Sequence, residues 1–193
     1  MTKVTTDAAR RLMQRLDEFA RFSDADGELT RLYLSKAHAA AARQFIAWCG
    51  EAGLKAVLDA SGNVLARYEG KAPGAPALLL GSHIDTVRNA GRYDGNLGAL
   101  AALTVVEELA AKGERLDHAV EIVAFGDEEG VRFPTTLTGS RALAGLFARS
   151  SLDQQDADGV LMRDALQAFG CDPEAVANLR ARHVAAFVEL HIE

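Results

Sequence analysis

The chain has 193 residues, of which 49% are hydrophobic and 25% are charged, a composition typical of one soluble globular domain with its own core. Its formal net charge is −6, from 21 Lys+Arg against 27 Asp+Glu. No local Lys/Arg stripe offsets this charge, which argues against a nucleic-acid-binding surface. Cys49 and Cys171 are too few for a disulfide framework, lack C-x-x-C spacing and are typical of reduced cytoplasmic thiols.

Two helices are predicted in the N-terminal part of the chain. The first begins at Thr6 or Asp7 and runs to about Phe22, with acidic and basic residues intermixed. That mixture is unlike a signal peptide, and no run approaches the roughly 20 apolar residues that a membrane span needs. We therefore expect a cytoplasmic protein that does not enter membranes. The second helix follows Ser35, a preferred N-cap residue, and ends at Gly53.

Three strands are predicted next. The segments KAVLDA and NVLARY flank a turn at Ser61 and Gly62, which is typical of a β-hairpin. The segment APALLLGSH differs because Ala77–Leu80 is continuously apolar. A strand of that kind is expected to be buried on both faces of an α/β sheet.

Helices and strands continue to alternate along the rest of the chain. The segment LGALAALTVVEELAAKG predicts a largely buried helix that ends at Gly113, and HAVEIVAF predicts the next strand. Helices are predicted at about 140–147 and 159–169, and a last strand from Val184. Strand–helix–strand order favours the α/β class, with a mostly parallel sheet flanked by helices. In such sheets ligands bind beyond the carboxyl ends of the strands.

The segment GSHIDT follows the first buried strand. In an extended chain His83 and Asp85 point to the same side. The Asp85 carboxylate can then accept a hydrogen bond from the imidazole nitrogen that faces away from a metal, which fixes the tautomer. An H-x-D pair by itself more often indicates a surface pair without a metal.

The segment GRYDGNLG places Asp94 among glycines, just before a predicted helix. Glycines permit backbone conformations that would bring this carboxylate close to a ligand near the helix N-terminus. The alternative is an ordinary turn, because Asp before Gly is common turn chemistry.

The segment FGDEEG places three consecutive carboxylates at the mouth of the predicted sheet. They repel one another unless a cation neutralises them or one of them is protonated. Adjacent Glu128 and Glu129 point in different directions, which suits a metal ligand and a general base. A hydrated acidic loop is the alternative.

The segment FVELHIE is predicted to be a strand with two different faces. Alternation places Glu189, His191 and Glu193 on one face, and a buried apolar face on the other formed by Val188, Leu190 and Ile192. A solvated edge strand is the alternative for this segment in isolation.

Four of these side chains form a mixed imidazole and carboxylate set that suits zinc, manganese or cobalt: His83, Asp94, Glu129 and His191. All four are predicted at or beside strand ends, where one sheet can bring them together. No G-x-S-x-G element supports a serine nucleophile at Ser82 or Ser140. The remaining histidines are predicted to be surface or boundary residues: His38, His118 and His183.

Five segments together resemble one family. LTRLYLSKAH, GSHIDTV, GRYDGNLG, FGDEEGVRFPTTLTGSRALAG and VELHIE are similar, in order and over nearly the whole chain, to the allantoate amidohydrolase and N-carbamoyl-L-amino-acid hydrolase group. These enzymes are dinuclear metallohydrolases related to zinc aminopeptidases and carboxypeptidases. The resemblance implies a zinc-exopeptidase-like catalytic domain that hydrolyses the ureido C–N bond of a small N-carbamoyl substrate.

The resemblance also implies a role for each site residue. His83 and His191 would bind the first of two divalent ions (Zn, Mn, Co or Ni), Asp94 would bridge both, and Glu129 would bind the second. Glu128 would be the general base, and Asp85 would orient His83. It also implies a homodimer, formed through an inserted lid domain.

Members of this family continue past the position of Glu193 into the lid and then return with a further histidine for the second metal. We therefore expect residues 1–193 to be the N-terminal part of the catalytic domain, from a fragment, a frameshifted gene product or a split protein. Such a part would have one nearly complete metal site and little activity. The alternatives are a dipeptidase or aminoacylase of the same superfamily, or a non-catalytic remnant or partner protein.

Overall fold

A five-stranded sheet flanked by helices organises the computed structural model, which describes residues 6–181 and 183–192. The helices are α1 (Asp7–Phe19), α2 (Lys36–Glu51), α3 (Asn96–Ala111), α4 (Thr138–Leu143) and α5 (Met162–Phe169). The strands are β1 (Lys55–Leu58), β2 (Val64–Tyr68), β3 (Ala77–His83), β4 (Ala119–Phe125) and β5 (Val184–Val188). Two short 3₁₀ helices occupy Arg149–Asp153 and Val176–Asn178.

The strand order in the sheet is β1-β2-β4-β3-β5. Strand β3 lies at the centre of a parallel trio with β4 and β5, whereas β2 pairs antiparallel with β1 and β4. The α/β class and the predicted hairpin of β1 and β2 are therefore confirmed. The sheet as a whole is mixed, because the hairpin adds two antiparallel pairings to the parallel trio.

Parallel register brings the carboxyl ends of β3, β4 and β5 to one edge of the sheet. His83 pairs with Phe125 at the end of β4, and Leu80 pairs with Val188 at the end of β5. The residues that follow these strands therefore emerge side by side. This edge is where the sequence predicts the functional residues.

The predicted N-caps are present, whereas some helix boundaries differ. Thr6 accepts a hydrogen bond from the Ala9 N–H (3.2 Å), and Ser35 accepts one from the His38 N–H (3.0 Å). Helix α1 ends at Phe19 rather than near Phe22. Helix α4 begins at 138 and α5 at 162, so both differ from the predicted starts by two or three residues.

The main core lies between one face of the sheet and helices α1, α2 and α3. Leu16 and Phe19 of α1 pack with Phe45 of α2 and with Leu103 of α3, and all four are fully buried. The prediction that α3 is largely buried is confirmed. Cys49 lies in the same core, and both cysteines are free thiols.

The opposite face of the sheet carries smaller clusters and an exposed strand. Leu79, Val123 and Phe125 pack against Leu143 of α4. Strand β5 is exposed along its whole length. The predicted buried face of the last segment is therefore wrong, since three of its apolar residues are 42–56% exposed: Val188, Leu190 and Ile192.

The physical reason is that β5 is an edge strand of the sheet. It pairs with β3 on one side, and among the described residues nothing covers its outer side or the apolar side chains near it. Alternation in the sequence therefore identified two faces without showing which of them is covered. Glu193 lies outside the described residues. Within the described residues, no helix is both long enough and apolar enough to cross a bilayer.

The surface or boundary position predicted for His38 is also wrong, because its side chain is fully buried. Its Nδ1 accepts a hydrogen bond from the Leu34 N–H at 2.9 Å, and its ring lies 4.9 Å from the Phe169 ring. Burial, together with the positive charges of Arg31 and Arg132, lowers the pKa of His38 to about 3. His38 is therefore a neutral core residue.

We expect His38 to make the protein less stable in acid. The unfolded chain protonates this histidine below its ordinary pKa of 6.5, whereas the folded chain does so only near 3. The unfolded state thus binds more protons between these values, and the free energy of unfolding falls with falling pH by up to about 1.4 kcal/mol per pH unit from this residue. His38→Gln should remove that part of the slope.

Urea unfolding followed by circular dichroism between pH 7 and 4.5 measures the slope. His118→Gln is the matched control, because it makes the same substitution at an exposed position. An equally steep slope in the His38→Gln and parent proteins would contradict the prediction.

Candidate metal centre

His83 is the central side chain of the site and is fully buried at the end of β3. Its Nδ1 lies 2.9 Å from the backbone carbonyl oxygen of Asp85, to which it donates a hydrogen bond when Nδ1 carries the proton. The Asp85 carboxylate is farther away, at 3.9 Å from Nδ1. The predicted carboxylate–imidazole hydrogen bond is therefore replaced by a carbonyl one, which likewise leaves Nε2 with a free lone pair.

Nε2 of His83 faces the side chains of His191 and Asp94. The two Nε2 atoms of His83 and His191 are 3.1 Å apart, and the Asp94 Oδ1 lies 3.4 Å from the first and 3.8 Å from the second. The structure thus brings together three residues that the sequence places on two strand ends and a loop. Their ligand atoms all lie within 4.8 Å of one another.

The loop before α3 fits closely around His83 because it contains glycine. Gly95 has φ +61°, and a Cβ there would lie 2.4–2.5 Å from three atoms of the His83 ring. The Asn96 N–H donates a hydrogen bond to the Asp94 carbonyl at 2.6 Å, which tightens the turn. Asp94 therefore reaches His83 from a loop that a larger residue at 95 would push away.

The segment after β5 carries His191 to the site without forming a strand. Glu189 accepts a hydrogen bond of 2.6 Å from the hydroxyl of Ser82, which is fully buried. The Leu190 carbonyl lies so close to Gly98 that a Cβ there would be 2.2 Å from its oxygen. These two contacts hold the segment against β3 and α3.

Glu128 and Glu129 follow β4 and turn towards the same imidazole. The Asp85 carboxylate accepts hydrogen bonds from the N–H groups of both glutamates, at 3.1 and 3.2 Å. Asp127 adopts φ +60°, so this segment is a turn to which strand alternation does not apply. Ligand atoms of His83, Glu128 and Glu129 lie within 4.8 Å of one another, and the Glu128 Oε2 is 3.9 Å from the His83 Nε2.

The crowding of carboxylates shifts the protonation of the site. Burial, and then the negative charge of Asp94, raise the pKa of Glu129 to about 7. Burial lowers the pKa of His83, but the carboxylates of Asp85, Glu128 and Asp94 outweigh it, so the pKa is raised above its ordinary value. Burial also raises the pKa of Asp85. The site therefore has an excess of negative charge that a cation would neutralise.

Behind the turn, Asp127 is fully buried and accepts a hydrogen bond from the Thr138 hydroxyl through Oδ2. Burial raises the pKa of Asp127 to about 8. Its Oδ1 makes no hydrogen bond to any other described residue. Of the three consecutive acidic residues, Asp127 therefore points into the protein, whereas Glu128 and Glu129 face the imidazole.

The donor set fits a divalent transition metal. Bonds of about 2.0–2.1 Å at a tetrahedral angle separate two nitrogen ligands of one zinc ion by about 3.3–3.4 Å. The observed separation of the two histidine nitrogens is 3.1 Å. His83, His191 and Asp94 could therefore hold one ion, and His83 with the two glutamates forms a second, overlapping group.

Two supporting residues had no functional signal in the sequence. Ser82 lacks the motif of a serine nucleophile, but its hydroxyl anchors Glu189. Gly98, near the start of α3, accommodates the Leu190 carbonyl. A signal for either contact would have required the register of β3 against β5, which residue types do not encode.

Comparisons with known proteins agree with this architecture. The model of peptidase family M28 matches residues 63–182, which include β2 to β4 and three of the four candidate ligands. The chain belongs to peptidase family M28. This M28 chain is 42% identical over 188 residues to an N-carbamoyl-L-amino-acid amidohydrolase of Paenarthrobacter aurescens, with 96% of this chain and 46% of the relative covered. It is 40% identical over 185 residues to allantoate deiminase 1 of Glycine max, with 93% and 38% covered.

A solved structure is similar in fold as well as in sequence. The crystal structure of a hydantoinase/carbamoylase family amidase from Burkholderia ambifaria matches with a TM-score of 0.86 and 38% identity, covering 97% of this chain and 45% of that one. The resemblance found in the sequence motifs is thereby confirmed. The M28 chain spans less than half the length of the relatives named here.

Replacement of Gly95 should disrupt the centre of this M28 chain. In Gly95→Ala the new methyl group collides with the His83 ring and also strains a left-handed backbone conformation, so the ring must move. We expect zinc affinity, measured by calorimetry, to fall about 10-fold or more, as for other changes that disturb ligand orientation.

Gly91→Ala is the matched control in the same loop. A Cβ at Gly91 meets nothing within 4 Å, so this variant should bind zinc like the parent chain. Equal affinities of the two variants would contradict the assigned role of the Gly95–His83 contact.

Proposed function

We propose that the protein containing this chain is a metal-dependent amidohydrolase that cleaves the ureido C–N bond of allantoate or of an N-carbamoyl-L-amino acid. The proposal is supported by relatives named allantoate deiminase and N-carbamoyl-L-amino-acid amidohydrolase. The observation that carries it is the position of His83, whose Nε2 is within 4 Å of His191, Asp94 and Glu128. Such a mixture of imidazoles and carboxylates suits hydrolysis assisted by divalent ions.

Each side chain of the site has a proposed role. His83, Asp94 and His191 would hold one divalent ion, and Glu129 together with Asp94 would contribute to a second. Zinc, manganese, cobalt and nickel all accept this donor set. Asp85 acts on both parts of the site, since its carbonyl contacts the His83 ring and its carboxylate fixes the turn of Glu128 and Glu129.

Glu128 is the proposed general base and acid. Its carboxylate is partly exposed, lies near His83 and lines an apolar cavity with Leu137, Ser140 and Phe187. It removes a proton from the attacking water and returns it to the departing nitrogen, while the new C–O bond forms and the C–N bond breaks. The bound ions supply polarisation of the carbonyl oxygen and a lower pKa of water. Ammonia and carbon dioxide leave, directly or through a carbamate.

Hydrogen bonds fix the backbone of Glu128, and so the point from which its carboxylate extends, which suits this role. Its N–H is bound by Asp85, and its carbonyl accepts a hydrogen bond from the Thr136 hydroxyl. Neither contact uses the carboxylate oxygens, which remain available for water. A base of this kind must be positioned without being neutralised by a permanent ion pair.

The proposal concerns the whole protein. The relatives are more than twice as long as the part of them that this chain matches. We propose that residues 1–193 form the N-terminal part of the catalytic domain, and that the whole protein acts in the cytoplasm as a homodimer on a small substrate, without nucleic acid or membrane.

Glu128→Gln is the direct test of the mechanism. The amide has the shape of the carboxylate but cannot accept the proton from water, so ammonia release from N-carbamoyl amino acids and allantoate should fall about 100-fold or more. The content of bound metal should remain near that of the parent protein.

Glu121→Gln is the matched control, because Glu121 lies on β4 beside Arg67 and away from His83. Ammonia release by Glu128→Gln at the rate of the control would contradict the assignment. The match to a peptidase family supports one competing substrate class, so dipeptides and N-acyl amino acids should be assayed in parallel. Faster turnover of these would favour a dipeptidase or aminoacylase.

A further inference from the structure

Arg31, in the LTRLYLSKAH segment, has a fully buried side chain although it is charged. Burial lowers its pKa to about 9, which keeps the guanidinium protonated at neutral pH. It forms no ion pair within the described residues, and its nitrogens donate four hydrogen bonds of 2.6–3.0 Å. The acceptors are the carbonyls of Phe19, Phe22 and Ile84 and the side-chain oxygen of Asn96.

These acceptors belong to three separate segments. Phe19 and Phe22 lie at and just beyond the end of α1, where carbonyls lack helical partners. Ile84 lies between His83 and Asp85, and Asn96 is the first residue of α3. One guanidinium therefore joins the end of a helix to two of the segments that deliver site residues, those of His83 and of Asp94.

A single nitrogen forms the connection that matters most. Nη1 of Arg31 donates to the Ile84 carbonyl at 2.9 Å and to the Asn96 Oδ1 at 3.0 Å. The Asn96 side chain in turn donates to the Arg92 carbonyl at 3.3 Å, on the other side of Asp94. The loop that carries Asp94 is thus tied to the chain beside His83 by way of Arg31.

The backbone of Arg31 adds to the same connection. Its N–H donates to the Thr86 hydroxyl at 2.8 Å, and its carbonyl accepts from the Thr86 N–H at 2.9 Å. The guanidinium also lies 4.5 Å from the centre of the Phe19 ring. Lysine could not replace it, because one ammonium group cannot reach acceptors spread over three segments in a planar fork.

We propose that Arg31 is a positioning residue that holds His83 and Asp94 at the spacing needed to share a divalent ion, with Asn96 as its intermediary. The inference rests on the metal centre of the proposed function. Arg31 touches neither the ligand atoms nor the space between them; it acts by fixing the two backbone segments.

Arg31→Lys in the full chain is the first test, with zinc affinity measured by calorimetry on protein shown to be folded by circular dichroism. We expect affinity to fall about 10–100-fold, as for other residues that orient metal ligands. The visible spectrum of added cobalt should also change, because it reports the geometry of the ligands.

Arg15→Lys is the matched control. Arg15 is also buried, pairs with Glu107 at 2.7 Å and lies 5.2 Å from the Trp48 ring, but it contacts none of the site segments. It should lose stability without losing zinc affinity. Unchanged affinity in Arg31→Lys, or equal losses in Arg31→Lys and Arg15→Lys, would overturn the proposal.

Asn96→Ala tests the intermediary and serves in place of Arg31→Lys if that variant does not fold. It should weaken zinc binding, and the double variant should be little weaker than Arg31→Lys alone because both changes break one connection. Unchanged affinity in Asn96→Ala, or additive losses, would overturn the route through Asn96.

His83→Ala distinguishes a failure of the proposed metal centre from a failure of the positioning role of Arg31. Zinc binding that is retained in His83→Ala, or absent from the parent chain, would overturn the metal centre itself. Binding that depends on His83 but not on Arg31 would overturn the positioning role alone.

Discussion

The hydrogen bond between the His83 ring and the Asp85 carbonyl is the contact on which the site depends. It turns Nε2 towards His191 and Asp94, and the bare backbone of Gly95 fills the space beside the ring. The ring is fully buried, so its orientation is set by packing as well as by this bond. Because β3 is the middle strand of the parallel trio, elements on both sides converge on the same imidazole. A rotation of this ring would move Nε2 away from His191, Asp94 and Glu128.

Asp85 both orients the His83 ring and positions the acidic residues next to it. Its carbonyl orients the imidazole, while its carboxylate binds two N–H groups of the acidic turn and holds Glu128 and Glu129 near the ring. This arrangement concentrates negative charge in a partly buried space and raises the pKa of Glu129 to about 7. The same residues that make the site unfavourable without a cation make it suitable for one. The packed sheet and α3 around the site hold these repelling carboxylates in place.

The features that could be predicted from the sequence are those that depend on local pattern. Apolar runs identified β3 and β4, the caps at Thr6 and Ser35 identified helix starts, and polar residues after strands identified the edge at which His83 and Glu128 meet. Long-range packing could not be predicted in this way. Alternation predicted two faces for the last segment but not that both would be exposed, and a histidine on α2 gave no sign that it lies in the core. The connection through Arg31 and Asn96 spans 65 residues and depends on where three segments meet in space.

The pairing of β5 with β3 has a consequence for how the chain reaches its native state. The two imidazoles that face each other are separated by 108 positions in the sequence, so their meeting requires the closure of a very long loop. Any ion held by both would act as a cross-link and restrict the unfolded ensemble, an effect of about 4–5 kcal/mol for a covalent link of that length in the chain-entropy model. Because β5 is exposed and lies at an edge, its docking should be among the least stable contacts of the sheet. Ion binding would then stabilise the pairing of β5 with β3.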